Sequence, residues 1–137
     1  MKFFGPYCVQ VAKDLDIPLE NLVGLAAEES GYRRGRISID CKNYFSMRSP
    51  APGQVGFEVA RNDPKVKVAK YGRPIDSVES FKTKWGPFVQ GKRDPVDFAN
   101  ALVRAGFNTG KNEDGGRAGF ANYLLGLIIA VKGRLAC

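Results

Sequence analysis

Two glutamates stand side by side in Ala26-Ala27-Glu28-Glu29-Ser30-Gly31, and helical geometry turns neighbouring side chains about 100° apart. Leu22, Leu25, Ala26 and Glu29 follow the spacing i, i+3, i+4, i+7, so Glu29 extends an apolar stripe. Glu28 falls with Asn21 and Gly24 on the more polar side and is expected to be a solvated surface acid. A carboxylate on an apolar face is costly when charged, and the negative end of the helix dipole acts in the same direction. Both effects raise its pKa. A glutamate that keeps its proton near neutral pH can give it to a leaving oxygen such as that of a glycosidic bond. A second role is open to Glu29: pairing with Arg33, Arg34 or Arg36, which would lower the pKa instead.

Other chemistries are narrowed by what the chain lacks. It has no histidine, so Ser-His-Asp and Cys-His catalysis have no base. Zinc peptidase chemistry, which usually needs histidine ligands, is disfavoured for the same reason. The remaining acids and bases are carboxylates, Lys, Tyr and Cys. Cysteines at positions 8, 41 and 137 are an odd number, so they cannot all pair within one chain. Free thiols are expected, with a Cys8–Cys41 bridge as the alternative after export. A catalytic thiol lacks its partner.

The elements that must position these groups follow from 137 residues, enough for one domain with its own core. An apolar fraction of 44% is that of a globular protein. The net charge of +7 favours anionic partners, whether nucleic acid, an acidic membrane or an acidic wall polymer. Met1 to Pro6 shows no readable leader, and the most apolar run, Ala118 to Val131, is too short to span a bilayer. No repeat stands out. Helices are expected from Pro6 to about Asp14 and from Pro18 to Gly31. The middle, from about Ile37 to Lys70, reads as irregular or extended. Val55–Ala60 and Val66–Lys70 form a hairpin around the turn signal Asn62-Asp63-Pro64. Helices return with an apparent capping box at Asp76 and Glu79, a start at Asp94-Pro95 that Gly106 ends, and a last helix from about Ala118. The Gly-rich segment Asn108 to Gly116 is a loop able to rim a site.

On these elements, Leu25-Ala26-Ala27-Glu28-Glu29-Ser30-Gly31 followed by Asn43-Tyr44-Phe45-Ser46-Met47 resembles the glucosaminidases of glycoside hydrolase family seventy-three. Their pattern is a helix ending in A-x-E-S-G, then N-[LY]-F-G-[IV]. Phe98 to Thr109 is similar to the family's A-x-x-L-x-x-A-G-Y-A-T segment, and Phe120-Ala121-Asn122-Tyr123-Leu124 to its Y-A-x-K-L helix start. The similarity runs from about Leu19 to Ile129. It implies a single α+β domain over residues 1–137, lysozyme-like, with a mostly helical lobe and a small β-hairpin insertion forming a cleft. It further implies hydrolysis of the peptidoglycan backbone after N-acetylglucosamine, with Glu29 as general acid and neither cofactor nor metal.

A second carboxylate in the β region is implicated in many members of this family, and the nearest match is Glu58, with Asp40 as fallback. Glu58 could equally be a solvent-facing strand acid paired with Lys67 or Arg61. Departures from the pattern are Phe107 and Phe120 in place of tyrosines, Ser46 in place of glycine, and Gly110 in place of an aspartate. Tyr44 and Tyr123 are candidates to line the substrate groove; Asn43 either binds an acetamido group or holds its loop, and Phe45 and Trp85 fit the core better. The basic runs Arg33-Arg34-Gly35-Arg36 and Lys65 to Lys70 are solvated faces able to hold anionic polymer.

Small size and action on the wall also resemble type VI secretion effectors. That implies synthesis in the cytoplasm, action in the periplasm or wall of a target bacterium, and a cognate immunity protein, with no nucleic acid bound and no membrane insertion. The competing readings are a muramidase, a lytic transglycosylase, and a non-catalytic module binding glycan or nucleic acid.

Overall fold

The computed structural model describes residues 5–30, 36–59, 64–107 and 116–136. In chain order the elements are α1 (Gly5–Leu15), α2 (Leu19–Ser30), α3 (Arg36–Cys41), β1 (Gly56–Val59), β2 (Lys67–Lys70), α4 (Pro74–Val89), α5 (Pro95–Ala105) and α6 (Gly116–Ala136). The α+β reading holds: a mostly helical body carries one antiparallel two-stranded sheet.

Helix ends follow local chemistry. Asp94 caps α5, its carboxylate accepting from the amides of Val96 at 2.8 Å and Asp97 at 3.3 Å. Pro95 stands in the first turn, where its missing N–H is not needed. Gly106 ends α5 at φ 85°, a left-handed conformation that glycine adopts without strain. The capping box expected at Asp76 and Glu79 is not formed. α4 begins at Pro74 after the extended Arg73, which makes no side-chain cap. Asp76 lies inside the first turn and takes a 2.8 Å ion pair from Arg73 instead. α3 falls in the stretch expected to be irregular; at six residues it is too short to carry a clear period.

The core gathers Val11 and Leu15 of α1, Leu22 and Leu25 of α2, Phe81 of α4, Phe98 and Leu102 of α5, and Leu124, Ile128 and Val131 of α6. Phe45, fully buried, stacks on Phe81 with ring centroids 4.6 Å apart. Burying such a ring contributes about 2–3 kcal/mol. Trp85 is half-buried and meets Phe107 edge-on at 5.2 Å, which places it against the core as expected.

The sheet register pairs Gly56 with Lys70, Phe57 with Ala69, Glu58 with Val68 and Val59 with Lys67. Arg48 bridges to Val68 on the other side of β2. β2 is therefore the middle of three extended segments and β1 lies outermost. Asn62, Asp63 and Arg61 of the hairpin turn, Gly31 with Arg33 and Arg34, and the Asn108–Asp114 loop lie outside the described residues, as does Cys137. Cys8 and Cys41 are buried free thiols, not a bridge. Among the described residues no helix is long and apolar enough to cross a membrane.

Candidate active site

α2 is enclosed rather than amphipathic. Every residue from Asn21 to Ala27 is buried. Asn21, only 1% exposed, donates through its amide to the carbonyls of Lys92 at 3.3 Å and Arg93 at 3.1 Å. Gly24 abuts α6 so closely that a Cβ would stand 2.8 Å from Ile128 Cγ1. The side of the helix expected to be polar is thus packed as well. This corrects the reading of Glu28, which is half-buried with its Oε2 shut off from solvent. Glu29 is half-buried beside it, in the last turn of α2.

The last carbonyls of a helix lack intrahelical donors. The Glu29 carbonyl is supplied by the Ser46 hydroxyl, which donates to it at 2.8 Å. Ser46 sits at φ 51°, in the left-handed region that costs a non-glycine residue about 1–2 kcal/mol. This explains why the resembling family places glycine there. Around Ser46 the loop is anchored from beneath. Asn43 is 1% exposed, donates to the carbonyls of Met47 at 3.0 Å and Ala69 at 2.9 Å, and accepts from the Met47 amide at 2.9 Å. The Ala69 amide completes the clamp with a 2.9 Å bond to the Met47 carbonyl.

Glu58 belongs to the inward face of β1. It and Gly56 are half-buried, while Phe57 and Val59 are exposed. It lies within hydrogen-bonding reach of the buried Cys41 thiol at the end of α3. Burial, and then the Glu58 carboxylate, push that thiol up to about 11, against the opposing pull of Lys70. Two strand spacings separate β1 from the Arg48 segment, about 10 Å in all. The clamped loop therefore joins the helix end that bears Glu29 to the sheet that bears Glu58.

The structure divides the other expected site residues. Asn43 and Tyr44, each 1% exposed, lie beneath the surface and not on it. Asn43 holds the loop, and the Tyr44 amide donates to Ser77 Oγ at 3.3 Å. Tyr123 of α6 is 56% exposed and Asp40 is exposed on α3. A pocket of about 120 Å³ opens between the Pro52-Gly53 turn and α4, and neither Glu29 nor Glu58 lines it. Among the described residues no group of His, Cys, Asp or Glu could hold a metal ion. Two roles were not anticipated, those of Ser46 and Cys41. Ser46 could have been found from its replacement of a glycine, which signals a positive φ. Cys41 has no such signal, because its contact with Glu58 arises from tertiary packing.

No protein-family model and no curated protein sequence matches the chain. Solved structures do. A chain in a type VI secretion system effector-immunity complex from Pseudomonas protegens is 50% identical, with 98% of this chain and 89% of that one covered and a TM-score of 0.86. The peptidoglycan hydrolase from Sphingomonas sp. A1 shares the fold at 23% identity and a TM-score of 0.74, covering 97% of this chain and 89% of that one. So does the glycoside hydrolase domain of Salmonella typhimurium FlgJ, at 18% identity and a TM-score of 0.70, covering 97% and 86%. Half-identity over nearly the whole length is a family relation, and the shared fold is that of lysozyme-like hydrolases. The chain therefore belongs to one family with the type VI secretion system chain of Pseudomonas protegens, on a lysozyme-like fold shared with peptidoglycan and glycoside hydrolases.

Proposed function

We propose that this chain is a peptidoglycan N-acetylglucosaminidase, delivered by type VI secretion as an antibacterial effector, in which Glu29 donates the proton to the leaving sugar. The observation that carries this reading is the placement of Glu29. It ends an enclosed helix, its side chain is half-buried, and its backbone is tied to a clamped loop. Rigid placement of an acid at a partly dehydrated position is what protonation of a glycosidic oxygen needs. The hydrolase fold fits the effector half of an effector-immunity pair, so a cognate immunity protein is the expected partner. The site of action is the periplasm and wall of the target cell.

Glu58 is the second carboxylate of this reading. A nucleophile needs carboxyls about 5–5.5 Å apart while an activated water needs about 6.5–9.5 Å, so the stereochemical outcome of the reaction reports how Glu29 and Glu58 share the work. Tyr123 offers an exposed ring for a sugar face. The surplus of basic residues favours the anionic wall polymer.

The test is digestion of purified sacculi by the wild type and by Glu29→Gln. Reducing ends released by the wild type alone, identified by mass spectrometry after borohydride reduction as N-acetylglucosaminitol, support the reading. Full activity in Glu29→Gln overturns the proton donor. Terminal muramitol would instead make the enzyme a muramidase, and anhydro-muropeptides would make it a lytic transglycosylase.

A further inference from the structure

Between Asn43 and Met47 the chain is closed off except at Ser46: Asn43, Tyr44, Phe45 and Met47 are all 2% exposed or less, while Ser46 is exposed. It holds a left-handed backbone without being glycine, and such a conformation persists where the surroundings over-determine it. Its hydroxyl meets the one carbonyl that belongs to Glu29 itself. On its other side, Met47 is bonded to Asn43 and to Ala69 of β2, whose register partner on β1 is Phe57, next to Glu58. An unbroken path of covalent and hydrogen bonds thus runs from the main chain of Glu29, through Ser46, to the strand of Glu58. A glycine would satisfy the backbone but could not donate.

We infer that Ser46 is a positioning residue: its hydroxyl fixes the last turn of α2 against the sheet and so sets the working separation of Glu29 and Glu58. The inference rests on the proposed role of Glu29 as proton donor. A misplacement of about 1 Å at such a group can slow a reaction as much as a hundredfold, whereas binding of remote sugar units would be little changed. The loss therefore falls on kcat and not on KM.

Three variants separate this role from simple loop stability. Ser46→Ala keeps the left-handed strain and loses the donor. Ser46→Gly relieves the strain and also loses the donor. Ser46→Asn tolerates the backbone, since asparagine is the side-chain-bearing residue most at ease there, and restores an N–H donor. Initial rates on sacculi and thermal melts are measured for each, alongside wild type and Glu29→Gln. The expected result is a kcat about tenfold or more below wild type for both Ala and Gly, with KM within about twofold. The Gly variant melts above the Ala variant, and Asn recovers part of kcat. A glycine variant as fast as the wild type, or rates that simply follow melting temperature, overturns the inference. Persistent activity in Glu29→Gln overturns instead the reading beneath it, so the two failures are distinct.

Discussion

Gly24 of α2 and Ile128 of α6 approach so closely that only hydrogen fits between them: a Cβ on Gly24 would lie 2.8 Å from Ile128 Cγ1 and 3.1 Å from its Cα. The crossing point of the two helices is thereby fixed by a missing side chain. It lies on the helix that ends in Glu29, so what seats α6 also seats the acid.

Gly24→Ala is therefore expected to destabilise the fold by about 1–3 kcal/mol, even though alanine is the better helix former. The Ile128 side chain can yield, but its backbone cannot. In a double-mutant cycle, Ile128→Ala should recover only part of the loss, a coupling of about 1 kcal/mol. Urea denaturation of the four proteins measures both quantities.

Asn43→Ala removes three hydrogen bonds from a buried loop. At about 1 kcal/mol each, the expected loss is about 2–4 kcal/mol. Asn43→Asp should be at least as damaging, because a carboxylate faces the Met47 and Ala69 carbonyls that the amide now serves. Activity on sacculi should fall in both variants, because the loop that Asn43 clamps carries the Ser46 contact to Glu29. Chemical denaturation checks the first effect and initial rates the second.

The two buried thiols predict alkaline sensitivity. Burial raises Cys8 from 9.0 to about 12, and Cys41 is raised from 9.0 to about 11 by burial and then by Glu58. The folded state thus holds these protons more tightly than the unfolded chain. Their contribution is fully present below the unfolded value and is lost as pH rises from 9.0 through the folded values. Stability against urea should fall above about pH 9, and Cys8→Ala should flatten that slope. A thiol reagent followed by peptide mass mapping should leave Cys8 and Cys41 unmodified in the native protein and label both once it unfolds.

Much of the helical frame was legible because its signals are local. Pro95 after Asp94 opens α5, Gly106 closes it, and the alternation around Glu58 marks a hairpin strand. The position of Glu29 at the end of α2 followed from the same kind of pattern. The burial of the opposite side of α2 did not. Periodicity reads one apolar stripe, and it takes Asn21 and Gly24 as polar or neutral surface. Their burial depends on the carbonyls of Lys92 and Arg93 and on Ile128, which come from distant parts of the chain. Asn43 and Tyr44 turned inward for a related reason: the loop closes over its own polar groups, and a motif of aromatic and amide residues does not say which way they point. The false capping box at Asp76 shows the same limit, since Arg73 claims the carboxylate that the pattern assigned to the helix end.

A helix walled in from Asn21 to Ala27 has little freedom to tilt or unwind by itself. Heat or denaturant should accordingly dislodge Glu29 and dissolve the tertiary structure in one step. A sublethally loosened form that still cuts glycan is not expected, and activity can serve as a direct gauge of the folded population.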